Sequence, residues 1–104
     1  MTNESVNDKC DKTIEAINNC GLANFISDEK RNSLVSEVLT LKSEQDLNLA
    51  SKLGELHENN LKHYIQTKKS TPEYSQDFVK LQIECISLLN EIEAALYIQG
   101  NLKP

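Results

Sequence analysis

The stretch Leu41–Leu56 reads LKSEQDLNLASKLGEL, and its reading decides the fold. It joins two apolar-periodic segments, one with Leu34, Val35, Val38, Leu39 and Leu41, the other with Leu49, Ala50, Leu53, Leu56, His57, Leu61, Tyr64 and Ile65. No glycine or proline forces a turn between them. Read as one helix over 28–68, the two would make a rod about 60 Å long. A compact domain of this size has a radius of gyration of only about 13 Å. Ser43-x-x-Asp46 has the form of a capping box, with Lys42 as a last-turn cation before it. Compactness and the box together place a break near residues 42–45. The expectation is all-α: an antiparallel four-helix bundle with helices over 4–20, 28–42, 45–68 and 72–99, in one domain over 1–104. The alternative is three helices with one long kinked helix over 28–68.

The flanking segments carry their own punctuation. Val6, Cys10, Thr13, Ile14 and Ile17 fall on one helical face, and Gly21 then stands as a left-handed C-terminal residue, with Leu22 as its hydrophobic contact. Ser27 offers an N-cap, and Asp28 and Glu29 suit the positive end of a helix dipole. Lys68 and Lys69 close the third helix. Thr71 reads as the cap of the fourth and Pro72 as its first helical residue. In that last helix Tyr74, Phe78, Leu81, Cys85, Leu88, Ile92 and Ala95 step 4-3-4-3-4-3, a heptad seam. Val79, Ile86, Leu89 and Leu96 widen it, and Gly100 reads as its end. Ile83, Tyr97 and Ile98 lie off the stripe and form a candidate exposed apolar patch. Gly54 suggests a close approach between helices.

Composition excludes several classes. The chain has 104 residues, a net charge of −5 and one arginine, Arg31. Arginine is the preferred reader of phosphates and base edges, so nucleic acid and anionic membranes are not expected partners. Cys10, Cys20 and Cys85 are odd in number and irregular in spacing, which is no disulfide framework. Cys10 and Cys20 are about 15 Å apart along one helix, too far to bridge. Reduced thiols and a polar N-terminal stretch lead to the expectation of a cytoplasmic protein. No run of apolar residues is long enough to span a bilayer.

The stretch LHENNLKHY (Leu56–Tyr64) contains the one suggestion of metal chemistry. A zinc-binding pair sits at i and i+4. His57 and His63 are six apart, hence about 120° around the axis and about 9 Å along it, so they do not chelate one ion and Glu58 has no bound water to activate. A phosphotransfer histidine would be followed at +3 and +4 by Lys and Gly. His57 has Asn60 and Leu61 there, and His63 has Gln66 and Thr67. No glycine-rich phosphate loop exists, Glu91 and Glu93 face different sides, and the thiols lack a histidine at motif spacing. Cys85, in the seam, should stay protonated. No catalytic residue, cofactor or metal is expected.

A non-enzymatic protein-interaction module is therefore the leading expectation, an adaptor, chaperone or immunity-type protein of a bacterium or phage that offers a helical face to another protein. The acidic total suits a basic partner, with Asp28, Glu29 and Glu37 as contributors beside Ile83, Tyr97 and Ile98. The first alternative is a homo-oligomeric structural protein, a homodimer through helix 72–99. The second is a small-ligand-binding bundle or an unrecognised enzyme with a pocket between its helices.

Overall fold

A computed structural model describes residues 5–102. It is all-α: α1 (Val6–Leu22), α2 (Asp28–Glu44), α3 (Leu47–Lys68) and α4 (Gln76–Leu102). Short links make consecutive helices antiparallel. α1 packs against both α2 and α4, and α3 packs against α4. The bundle measures 53 × 27 × 22 Å, with a radius of gyration of 14.4 Å. The four-helix expectation holds, and the alternative of a continuous helix over 28–68 does not.

The break in the deciding stretch is two residues long, Gln45 and Asp46. Gln45 takes the left-handed conformation at φ 50° and ψ 45°. Asp46 is then the N-cap of α3, accepting from the Asn48 N–H at 2.9 Å. This corrects the capping box: Ser43 is an exposed residue in the last turn of α2. A left-handed residue reverses the chain by itself, and the aspartate directly after it satisfies the first turn of α3, so the serine has no orphan donor to serve.

Three other ends move for related reasons. Gly21 stays helical, and the left-handed residue is Asn24 at φ 62°. The Phe25 N–H donates to the Cys20 carbonyl at 2.9 Å and the Asn24 N–H to that of Gly21 at 3.0 Å, which is a Schellman ending three residues later than Gly21 and Leu22 suggest. Asparagine tolerates that conformation, and the extra turn brings Phe25 edge-on to Phe78 with ring centroids 5.4 Å apart. Thr71 closes α3 instead of opening α4, its hydroxyl donating to the Lys68 carbonyl at 2.8 Å. Pro72 stands second in the turn Thr71–Tyr74, where its fixed φ is suited, and Ser75 caps α4 by accepting from the Phe78 N–H at 3.3 Å. Gly100 does not end α4, which runs on to Leu102. Of the expected first helix over 4–20, residue 4 lies outside the described residues.

The seam of α4 is spent on the core. Phe78, Cys85, Leu88, Leu89, Ile92 and Leu96 are all buried, and Cys85, Leu89, Ile92 and Leu96 share one core cluster with Val6, Cys10, Ala16 and Ile17 of α1 and Ala50 and Leu53 of α3. Burial of each large aliphatic side chain stabilises the bundle by about 1.5–3 kcal/mol before entropy is counted. Gly54 is buried, and a Cβ added to it would stand 3.4 Å from the Asn90 side chain of α4, the close approach its place in the sequence suggests. The weak corner is α2 with α3. Although joined by the shortest link, they approach at few points. Of the 17 residues of α2 only Leu34, Val38 and Leu41 are buried, and the side it turns to α3 carries Lys30, Ser33 and Glu37.

Candidate functional site: the furrow between α2 and α3

The open corner is a furrow in two adjoining halves of about 390 Å³ each. The halves share Ser27, Lys30, Leu34 and Asn60. One half is floored by Phe25, Tyr64 and Phe78. The other is lined by Glu29, Ser33, Glu37 and Leu56. Aromatic packing shapes the first half. Tyr64 lies 4.5 Å from Phe78 and stacks on Tyr74 at 5.7 Å between centroids. The Tyr64 hydroxyl accepts from the Ser75 N–H at 2.8 Å and donates to the Glu73 carbonyl at 3.3 Å, tying the turn before α4 to the end of α3.

A buried polar chain runs through three side chains, of which Gln82 lines the aromatic half. Gln82 of α4, only 3% exposed, donates from Nε2 to the Cys20 sulfur of α1 at 3.7 Å. Its Oε1 lies 3.1 Å from His57 Nδ1 of α3. Because Oε1 only accepts, Nδ1 carries the proton and Nε2 is left with a lone pair. His57 is 1% exposed, and Nε2 has no hydrogen-bond partner. Glu37 of α2 likewise has a buried Oε2 without a partner. The charged groups that bear on the imidazole are Glu37 and Lys30, both on α2. Burial is the largest influence and pushes the His57 pKa down, and the Lys30 charge adds to this. The Gln82 hydrogen bond and Glu37 oppose them without prevailing. His57 is thus neutral at neutral pH. Two buried acceptors share one corner with no donor, where buried polar groups are normally paired.

The structure sorts the candidate residues of the sequence. Glu29 and Glu37 line the furrow together. Asp28 does not, because one residue along a helix is about 100° around it. It lies on the α1 side near Gly21, Leu22 and Arg31. Ile83, Tyr97 and Ile98 are more than half exposed on α4 and line neither half of the furrow. His63 is exposed on the furrow's aromatic half, well separated in role from buried His57. Among the described residues no three or more His, Cys, Asp or Glu side chains are grouped to hold a metal ion. The three cysteines are buried free thiols, and burial pushes Cys85 up to about 12. No helix of the described residues is long and apolar enough to cross a membrane.

Sequence periodicity missed His57 and Gln82 as a pair, although each carried a sign. His57 follows Ala50 and Leu53 on the buried stripe of α3, and Gln82 sits between Phe78 and Cys85 on that of α4. A polar residue on a core stripe asks for a partner, and only the packing of α3 on α4 names it. Comparison with known protein families, curated proteins and solved structures finds no match in any of the three.

Proposed function

We propose that the protein is a protein-interaction module of adaptor, chaperone or immunity type, which binds a segment of another protein in the furrow between α2 and α3. The observation that carries this reading is the furrow itself. It is a corner of the bundle with an aromatic floor, exposed Leu56 and two carboxylates, left uncovered where the other neighbouring helices pack closely. Its open length suits an extended or helical segment better than an enclosed metabolite. Glu29 and Glu37 favour a segment with positive charge, in keeping with the net charge of −5.

The experiment is a photoreactive residue placed at exposed Ser33 in the full chain, in the cells that make it. The expected result is one discrete product joined to a different protein, lost when Leu56→Asp is added. Absence of any such product, or a product formed equally with Leu56→Asp, would overturn the reading.

A second reading, self-association, draws on α4. Ile83, Tyr97 and Ile98 are 53%, 59% and 57% exposed. Tyr97 and Ile98 border a shallow depression with Leu47 and Ala94. Solution mass by light scattering over a hundredfold range of concentration tests it, with a dimer that Tyr97→Glu disperses as the supporting result.

A further inference from the structure

The two halves of the furrow differ in charge, which narrows what fits them, and the inference rests on the reading of the furrow as a binding site. No acidic side chain lines the aromatic half, whose basic groups are Lys30, His63 and Lys68. Lys68 is paired with Glu73 at 2.6 Å. Lys30 is exposed and stands in no salt bridge among the described residues, so its ammonium is free to meet a ligand. Glu29 and Glu37 line only the other half. Lys30 stands where the halves join, and Glu37 follows it on the same face of α2, about 10 Å along the axis. The aromatic half is open and has a volume of about 390 Å³, within the range of roughly 300–1,000 Å³ in which apolar ligand groups are held.

We propose that the aromatic half receives one large apolar side chain of the partner segment, with a carboxylate of that segment beside it on Lys30, while the segment's positive charge lies over Glu29 and Glu37. The segment is thus bipolar, and its direction is set. Acid and anchor lie toward the end of α3, over Phe25, Tyr64 and Phe78, and the base lies toward Leu56. A reversed segment would bring its base to Lys30 and its acid to two carboxylates, and such like-charge meetings are how interfaces reject a wrong arrangement. The apolar anchor supplies most of the affinity, because a large side chain in a desolvated pocket dominates interfaces of this kind. The exposed charges contribute orientation more than strength. Asn60, shared by both halves, presents an amide donor and a carbonyl acceptor to whatever lies across the junction.

The test uses three probes that share one apolar body and differ in the group at its end: phenylbutyrate, phenylbutanol and phenylbutylammonium. Each is titrated at millimolar concentration, at neutral pH, into the full chain labelled with nitrogen-15. All three should shift the backbone amides of Asn60 and Thr67. The carboxylate should bind about two- to fivefold more tightly than the alcohol, the scale of an exposed ion pair, and the ammonium more weakly than either. Lys30→Gln should remove that order and leave the affinity of the alcohol unchanged. No saturable shift, equal affinities, or an order that survives Lys30→Gln would overturn the proposal. The same shifts on concentrating the protein alone would name a second copy as the occupant and overturn it too. In cells, the crosslink from Ser33 should weaken with Lys30→Glu and persist with Lys62→Glu, an exposed lysine outside the furrow. A crosslink indifferent to Lys30→Glu would remove the acidic anchor and leave the interaction module standing. Ordered probe affinities with no crosslink would overturn the partner protein instead and leave a site for a free apolar carboxylate.

Discussion

His57 of α3 and Gln82 of α4 meet at 3.1 Å in a place where neither side chain reaches solvent. The fold therefore holds a neutral imidazole that the unfolded chain would protonate below its ordinary pKa of 6.5. With the folded pKa lowered, the unfolded state binds more protons as pH falls, so stability is full above 6.5 and declines from there until the lowered pKa is reached. The expected slope from this one group is at most about 1.4 kcal/mol per pH unit. Urea midpoints at pH 7.5, 6 and 5 for wild type and His57→Gln should converge as pH falls, since the variant lacks this slope. Parallel curves would show that His57 titrates alike in both states.

Cys85 gives the opposite limb. Burial pushes the thiol up to about 12 from an ordinary 9.0, with the nearby Cys20 and Glu84 adding to the rise. Above pH 9 the unfolded chain sheds this proton and the folded one keeps it, so stability falls as pH rises toward 12. Cys85→Ala should start less stable by about 1 kcal/mol through the space it leaves. Its stability should then fall less steeply than that of wild type above pH 9. Unfolding curves at pH 8, 9.5 and 10.5 check both statements.

Gly21 is helical but not replaceable at no cost. A Cβ there would run into the Arg31 side chain, whose Nη1 donates to Asn18 Oδ1 at 3.1 Å. Alanine is favoured over glycine inside a helix by about 1 kcal/mol, but in wild type it displaces Arg31 and its hydrogen bond, worth about 0.5–1.5 kcal/mol. Gly21→Ala should thus be close to neutral alone and stabilising by about 1 kcal/mol when Arg31→Ala is already present. A thermal-unfolding double-mutant cycle reads the coupling directly. Equal effects in both backgrounds would place Arg31 away from Gly21.

The reversal between α2 and α3 is strained at Gln45 and held at Asp46. A non-glycine residue in the left-handed region costs about 1–2 kcal/mol, while glycine loosens the unfolded chain by about 0.4–1 kcal/mol. Gln45→Gly should therefore stabilise modestly, by about 0.5 kcal/mol. Asp46→Ala removes the cap on the Asn48 N–H and should cost about 1 kcal/mol. Chemical denaturation of the two single variants gives both signs. A destabilising Gln45→Gly would mean that its side-chain contact with Asn7, at 3.4 Å, outweighs the backbone strain.

What could be read without coordinates was whatever depends on one helix at a time. The heptad of α4 identified Phe78, Cys85, Leu88 and Ile92 as core because burial follows the 3.6-residue period, and Ile83, Tyr97 and Ile98 fell outside it for the same reason. Helix ends were less legible because each carried rival signals. Ser43 and Asp46, Thr71 and Ser75, and Gly21 and Asn24 are all competent residues. The choice between the last pair goes with the seating of Phe25 against Phe78. Glu29 and Glu37 were named for their charge alone. Their convergence, and the bare nitrogen of His57, depend on where α2 sits relative to α3 and on Gln82 of α4, which no single-helix pattern contains.

The two-residue reversal at Gln45 and Asp46 also fixes how two copies of this chain could exchange arms. Only those residues need to become helical for α2 and α3 to fuse into a straight rod about 60 Å long. The α3–α4 hairpin would then swing away from its own α1 and find the α1–α2 hairpin of a second copy, remaking the same buried faces with no new interface to invent. The left-handed turn at Gln45 is the latch against that swap: α2 and α3 scarcely touch, so the closed corner is held by that turn together with the packing of α1 on α2 and α4. Concentration would then select between a closed monomer and an intertwined pair built from one sequence and one set of core contacts.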